Sequence, residues 1–169
     1  AAMMSALKNN SKNFLGTLEF FPEEGKYHYD GHRSCQTRMT PEETSGHKGL
    51  CPACHKPVTI GVMNRVTRLA DHPAGRKSPR SRPFTSIIPL VEIIGEALDA
   101  GPATKKVEKI YFELLEKLGN EFFLLLKAPL PEIAATAGDR VAEAVRRMRS
   151  GELTILPGYD GEFGTIKIF

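Results

Sequence analysis

A chain of 169 residues that is 41% hydrophobic and 25% charged, with a net charge of +3, is long enough for one ordinary domain or two small ones and has the balance of a globular protein. No apolar run approaches the roughly 18 residues of a membrane span, and no signal-peptide pattern opens the chain, so the expectation is a cytoplasmic protein without membrane insertion. The charge is too mild to point by itself to a polyanionic partner, and three cysteines cannot all pair as disulfides, which leaves metal binding as their leading use.

Residues 1–13 read as an irregular linker, with no pattern that would start a core. Residues 14–71 read as a small module. Its first part places apolar and aromatic side chains at Phe14, Leu18, Phe20, Phe21, Tyr27 and Tyr29 around a Pro-Glu-Glu-Gly turn, a pattern that predicts two short strands joined as a hairpin. The stretch that follows contains all three cysteines. Cys51 and Cys54 have the C-x-x-C spacing, and His32 and Cys35 repeat that spacing with a histidine first. Two closely spaced pairs are what a tetrahedral zinc requires, because a tight turn aims both side chains of a pair at one point. Fifteen residues separate the pairs, enough for a loop that lets them converge, and Gly49, Pro52 and Pro57 sharpen the second turn as in a zinc knuckle. A redox pair is the competing reading of C-x-x-C, but such pairs sit at a helix start in a βαβ setting, which this region lacks. The expected site is therefore structural Zn2+ on His32, Cys35, Cys51 and Cys54. His28, His47 and His55 are the other candidates for the histidine position. If no histidine ligates, three cysteines and a water would form an open, catalytic type of site. Nucleobase deaminases pair a C-x-x-C with an H-x-E element, and none of the five histidines is followed by x-Glu.

After the clip, Val58, Ile60 and Val62 alternate and predict a strand running into a short helical turn. Residues 72–84 are rich in Pro, Gly and Ser and read as a loop or boundary. From Arg65 to Arg82 the cations are Arg65, Arg68, Arg76, Lys77, Arg80 and Arg82, against one carboxylate, Asp71. Such a loop is a candidate phosphate contact, since each neutralised phosphate releases counterions; a solvated, self-repelling linker is the alternative.

Residues 85–169 read as an α-rich module. Ile87, Ile88, Val91, Ile94, Ala97 and Leu98 follow helical spacings that end at Gly101-Pro102, and Val107, Ile110, Tyr111, Leu114, Leu115 and Leu118 define one face of a second helix with Gly119 as C-cap. The dense run 121–129 is assigned to a buried strand because Gly119-Asn120 precedes it and Pro129 follows. Two further helices come next, the last with Asp139 as N-cap, Gly151 past its end, and Arg146, Arg147 and Arg149 in its last turn, where cations suit the helix dipole. Leu153 and Ile155, then Ile166 and Ile168, flank a Gly-Tyr-Asp-Gly turn and predict a terminal hairpin. Tyr159 in that turn reads as structural support, with base stacking as the other use. No Walker loop is present. The fold class is α+β: a small zinc-binding β-hairpin module, ribbon- or knuckle-like, followed by an α-rich module ending in a short β-hairpin.

The stretches "LGTLEFFPEEGKYHYDGHRSC" (15–35), "CPACHKPVTIGVMNRVTRLAD" (51–71), "PFTSIIPLVEIIGEAL" (83–98) and "PGYDGEFGTIKIF" (157–169) resemble the C-terminal portion of endonuclease Q and its PHP-domain relatives, including some linked to UvrD-type helicases. The resemblance implies that an N-terminal PHP domain, absent here, cuts DNA beside deaminated bases, while the zinc and helical modules help grip the duplex. This chain has no H-x-H start and no spread of His and Asp ligands for such a centre, so catalysis by the chain alone is not expected. Other members have Cys-x-x-Cys where this chain has His32-x-x-Cys35. The implied role is that of a DNA-binding accessory region, with duplex DNA and a PHP or helicase domain in cis as partners. A zinc-stabilised scaffold that presents the Val107–Leu118 face to a protein partner, and a free-standing metalloenzyme, are the competing classes.

Overall fold

The computed structural model describes residues 2–9, 11–73, 75–79 and 81–169. The chain divides into two compact units, one made of the residues up to Ser86 together with Leu156–Thr165, the other of Ile87–Ile155 with Ile166–Phe169. The fold is mixed, with eight helices and three two-stranded sheets among the described residues.

In the first unit, the stretch expected to be irregular contains a short helix, α1 (Ala2–Lys8). Its Ala, Met, Leu and Lys residues are good helix formers, yet none of its side chains is buried. The hairpin expected around the Pro-Glu-Glu-Gly turn does not form. Pro22–Glu24 is a 3₁₀ turn closed by the Gly25 N–H to Pro22 O, and it separates β1 (Thr17–Glu19) from β2 (Asp30–His32), which find other partners. β2 pairs antiparallel with β3 (Thr37–Met39), Asp30 opposite Met39 and His32 opposite Thr37. β1 pairs in parallel with β4 (Phe84–Ser86), Thr17 opposite Phe84, a pairing between segments too distant for periodicity to connect. Helix α2 (Pro41–Gly46) follows β3. Its start is set by a capping box, in which Thr40 accepts the Glu43 N–H and the Glu43 carboxylate accepts the Thr40 N–H at 2.8 Å. The expected strand at Val58–Val62 reduces to single bridges of Thr59 with Gly31 and of Pro57 with Leu50, and α3 (Val62–Leu69) begins at Gly61 with no buried residue. Among the described residues, the buried hydrophobic side chains of this unit are Met39, Cys51, Val58 and Tyr159.

The second unit has an ordinary core. Helices α4 (Leu90–Ala97), α5 (Lys105–Leu118), α6 (Glu121–Leu126), α7 (Leu130–Ala137) and α8 (Asp139–Ser150) pack chiefly α7 on α8, α5 on α7, and α4 on both α5 and α8. Leu90, Ile93, Ile94, Val107, Leu114, Leu124, Leu125, Ile133, Val141 and Val145 are fully buried between them. Run 121–129 is helical where a strand was expected. Asn120 caps α6 by accepting the Phe123 N–H at 3.0 Å, and burial falls on the adjacent pair Leu124 and Leu125 while Phe122 and Phe123 are exposed, which is not the alternation of a strand. The Glu121 carboxylate then ties three helices, accepting the Leu90 N–H at 2.8 Å and the Tyr111 hydroxyl at 3.0 Å. Gly119 (φ 110°) and Gly151 (φ 71°) close α5 and α8 in conformations open to glycine, but the residue flanking α8 at its start is Gly138, with Asp139 inside the helix. β5 (Thr154–Leu156) and β6 (Thr165–Lys167) pair as the terminal hairpin, and the chain between them belongs to the first unit.

Candidate metal centre and nucleic-acid interface

Two tight turns build the candidate metal site. The first is the β2–β3 hairpin, whose loop Arg33–Cys35 is a 3₁₀ turn closed by the Gln36 N–H to Arg33 O, with Gln36 left-handed at φ 51°. His32 closes β2 and Cys35 closes the turn. The second is the loop Cys51-Pro-Ala-Cys54, pinned by the Cys51 N–H to Lys56 O and the His55 N–H to Cys51 O, both at 2.8 Å. The residue at its exit, His55, has φ 58°. The Thr59–Gly31 bridge, with hydrogen bonds of 2.9 and 2.8 Å, joins the second loop to β2. As a result one ligand atom from each of His32, Cys35, Cys51 and Cys54 lies within 4.8 Å of the other three. His28, exposed His47 and exposed His55 do not join this group; the His28 ring is engaged by Pro22 O at 2.9 Å.

The donor set fits a metal ion, and a soft divalent one in particular. Three sulfurs and one imidazole are the ligand types of structural zinc, and the group sits on a small apolar floor of Met39 and Val58. The electrostatics point the same way. Cys35 is pushed up to about 11 by its contact with the Cys54 thiol, by burial, and by Cys51. Burial also pushes Cys51 up, but the backbone N–H groups of Cys54 and Ala53 and the Thr37 side chain outweigh it and bring Cys51 down to about 6. Cys51 Sγ and Thr37 Oγ1 are 3.6 Å apart, and His32 Nδ1 is 3.4 Å from Cys54 Sγ. A cation held by this group would offset the opposition that Cys54 and Cys51 set up to ionisation of Cys35, and Cys51 is already brought toward the thiolate that ligation requires.

Sequence reasoning missed the residues that hold the turns in place. The Asp160 carboxylate, from the Gly-Tyr-Asp-Gly turn, accepts the Arg33 N–H at 2.6 Å and the Thr59 hydroxyl. Burial raises the Asp160 carboxyl, but these donors and the nearby His32 and Arg33 charges lower it below its ordinary range. The bond braces the residue next to His32, as the outer-shell partners of metal ligands do. Beside it, Tyr159 lies on Gly31; a Cβ there would meet Tyr159 Cδ2 at 2.4 Å. Tyr159 is thus a buried support, stacked under Arg38 at 5.0 Å. Asp30, fully buried, accepts the Gly61 N–H at 2.6 Å and Asn64 Nδ2 at 2.8 Å, fixing the start of α3. No local pattern announces any of these partners.

The basic residues fall into two groups. Arg65, Arg68 and Lys77 are exposed and have no ion pair or hydrogen bond among the described residues. Arg76 lies 2.6 Å from the His72 ring, and Arg82 donates to Ser11 O at 3.0 Å. Arg80 lies outside the described residues. In α8 every arginine of the terminal cluster is engaged. Arg146 bridges Glu143 and Glu152, Arg147 holds Glu143 and Ile168 O, and Arg149 donates to the carbonyls of Leu124 and Leu125.

Comparison with known proteins relates this arrangement to a class of DNA repair nucleases. The family described as the MJ0043 C-terminal domain matches residues 89–152. Two solved structures share the fold over nearly the whole chain. The lesion-specific endonuclease PfuEndoQ from Pyrococcus furiosus matches with a TM-score of 0.76 and 31% identity, over 89% of this chain and 37% of that one. Endonuclease Q in complex with a 27-mer duplex carrying an abasic lesion matches with a TM-score of 0.79 and 29% identity, over 99% of this chain and 42% of that one. Curated relatives are the uncharacterized protein MJ0043 of Methanocaldococcus jannaschii, 33% identical over 95% of this chain, and the uncharacterized protein YqxK of Bacillus subtilis, 28% identical over 96%. The chain spans 20% of the first and 38% of the second. Among the described residues, no helix is long and apolar enough to cross a membrane.

Proposed function

We propose that this chain is the zinc-stabilised, DNA-holding part of an endonuclease Q-type repair protein. The observation that carries the reading is the match along 99% of the chain to endonuclease Q bound to a duplex. In this reading zinc sits on His32, Cys35, Cys51 and Cys54 and fixes the two loops. It supplies structure only, because four protein ligands leave no open position for water. The exposed cations Arg65, Arg68 and Lys77, with Arg76, Arg80 and Arg82 of the same segment, neutralise backbone phosphates. Cleavage beside a deaminated base belongs to a PHP-type nuclease domain elsewhere in the longer parent, and in a helicase-linked relative a motor would stand in its place. In this proposal the sequence divides the work between a zinc-binding module (14–71) with its basic loop (72–84) and an α-rich module (85–169).

The test is titration of the chain with labelled duplex DNA over a series of salt concentrations. Phosphate contacts predict an affinity that falls linearly on a log–log plot, with a slope of about −0.9 per neutralised phosphate. Negligible binding at low salt refutes the reading.

A second function of the first unit, as a protein-docking surface, is favoured by one observation. Val62, Val66 and Leu69, spaced i, i+4 and i+7 on α3, are 61%, 48% and 64% exposed, an apolar stripe with nothing to cover it among the described residues. The scaffold face expected at Val107–Leu118 is not available for that role, since Val107 and Leu114 are fully buried in the core of the second unit.

A further inference from the structure

The walls of an open cavity of about 740 Å³ in the first unit are α2, the loop after it and α3. The metal centre does not use it. Its polar lining is Thr44, Ser45, Lys48, Asn64, Thr67 and Arg68, with Glu42 as the one acidic side chain. The lining is rich in donors that have nothing to donate to. Lys48, Arg68, Ser45 and Thr67 have no side-chain partner among the described residues, and Thr44, only 3% exposed, has a buried hydroxyl without a hydrogen-bond partner there. A buried hydroxyl left unpaired costs free energy.

The backbone that carries Lys48 and the side chain of Asn64 are also held in place. Lys48 sits in the left-handed region at φ 54° and Gly49 at φ 76°. Their N–H groups are tied to Ser45 O at 3.0 Å and Thr44 O at 2.8 Å, and Gly49 O accepts the Val58 N–H at 3.0 Å. On the opposite wall Asn64 is anchored by Nδ2 to the buried Asp30 at 2.8 Å. Two cations with hydroxyl and amide groups between them match the side chains that contact nucleic-acid phosphates, where Arg and Lys act together with Ser, Thr and Asn. A carboxylate offers two oxygens to this many donors, whereas a phosphodiester adds bridging oxygens and stays charged at every working pH.

We propose that this cavity is a seat for one backbone phosphodiester of a nucleic acid, held chiefly by Lys48 and Arg68. The proposal rests on the DNA-binding reading and deepens it: the cavity fixes the register of the backbone, while the 76–82 segment supplies diffuse charge. Lys48 is not part of any cation run in the sequence, so only the fold brings it to Arg68.

The experiment uses the whole chain and a labelled duplex, read by fluorescence anisotropy at several salt concentrations. Lys48→Asn removes the charge with a residue that tolerates left-handed backbone, and Arg68→Gln does so on the exposed face of α3. The double variant is expected to bind at least severalfold more weakly at low salt, with the log–log slope reduced by about 0.9, the value for one phosphate. Glu42→Gln is expected to tighten binding, an effect that a merely structural role would not produce. An Arg76→Gln/Lys77→Gln variant monitors the other contacts. If the wild type and the cavity variants bind alike while the loop variant binds more weakly, the cavity proposal falls and the DNA reading stands. If the wild type does not bind, both fall. Amide spectra titrated with inorganic phosphate separate the sources: shifts at Lys48 and Gly49 with inorganic phosphate but not with duplex would make the cavity a free-phosphate site and overturn the proposal.

Discussion

Removing the metal is the perturbation with the largest expected effect, and its size follows from what the first unit buries. Its buried hydrophobic side chains among the described residues are Met39, Cys51, Val58 and Tyr159, and three of these contact the ligand group or belong to it. Burial of a Met, Val or comparable side chain contributes about 1.5–3 kcal/mol, so these four supply at most about 12 kcal/mol. Structural zinc contributes about 10–16 kcal/mol in small domains, as much as or more than these four side chains together. The second unit, with its own core of Leu, Ile and Val side chains, owes the metal nothing. The expected outcome of adding a strong chelator, or of Cys51→Ser, is selective: amide resonances from Asp30 to Thr59 collapse toward random-coil positions, while those of α4 to α8 keep their dispersion. Elemental analysis should find one zinc per chain before treatment. Metal-free protein with an unchanged, cooperatively melting first unit would refute the reasoning.

Asp160→Ala removes the acceptor for the Arg33 N–H and the Thr59 hydroxyl; the zinc affinity measured by chelator competition is expected to fall by about 10–100-fold, the usual effect of losing an outer-shell partner. Gly31→Ala drives a methyl into Tyr159 and Thr37 O, and the first unit is expected to lose about 1–3 kcal/mol in denaturant titration, with Tyr159→Ala in the same chain restoring part of it. Arg146 and Arg147 hold Glu143 down at about 2, and Arg146 and Ser150 do the same for Glu152, against an ordinary 4.5. Depressed carboxyls stabilise the folded state above their unfolded value and lose that contribution as the pH falls through the folded one, so the melting temperature of the second unit should drop between about pH 4.5 and 2, and less steeply in Glu143→Gln. Thr44→Val removes a hydroxyl with no partner among the described residues; thermal melts should show unchanged or raised stability, together with weaker duplex binding.

Local signals were legible and distant ones were not. The x-x spacing of His32 with Cys35 and of Cys51 with Cys54 places each pair on one turn, so a group that could hold a metal was legible without knowing how the turns meet. Helices α4, α5, α7 and α8 could be read because their apolar residues recur at the helical period over eight or more positions. The strand expected at 121–129 was wrong because a short run that is apolar at every position has no periodicity to read, and the deciding signal was the Asn120 cap. The hairpin expected at 18–29 was wrong because β1 pairs with β4, across a separation of more than sixty residues. Asp160 is 127 residues from the amide it holds. Acidic turn residues are common, and nothing local marks this one as a brace.

The arginines show why density of charge in a sequence is a poor guide to phosphate binding. The densest cluster, Arg146, Arg147 and Arg149, looks as suitable as the run from Arg65 to Arg82. Yet Arg146 and Arg147 are bound to two carboxylates, and Arg149 is spent on the carbonyls of α6, where burial lowers its proton affinity. A phosphate recruiting them would have to displace internal partners, bidentate ones in the case of Arg146, whereas Arg65, Arg68, Lys48 and Lys77 have no side-chain partner to give up among the described residues. Neutralising the α8 arginines should therefore lower the stability of the second unit and leave the salt slope of DNA binding intact, and neutralising Arg65 and Arg68 should do the reverse. The pair of measurements separates charges that hold the protein together from charges left free for a ligand, a distinction that depends on the fold and not on the residue type.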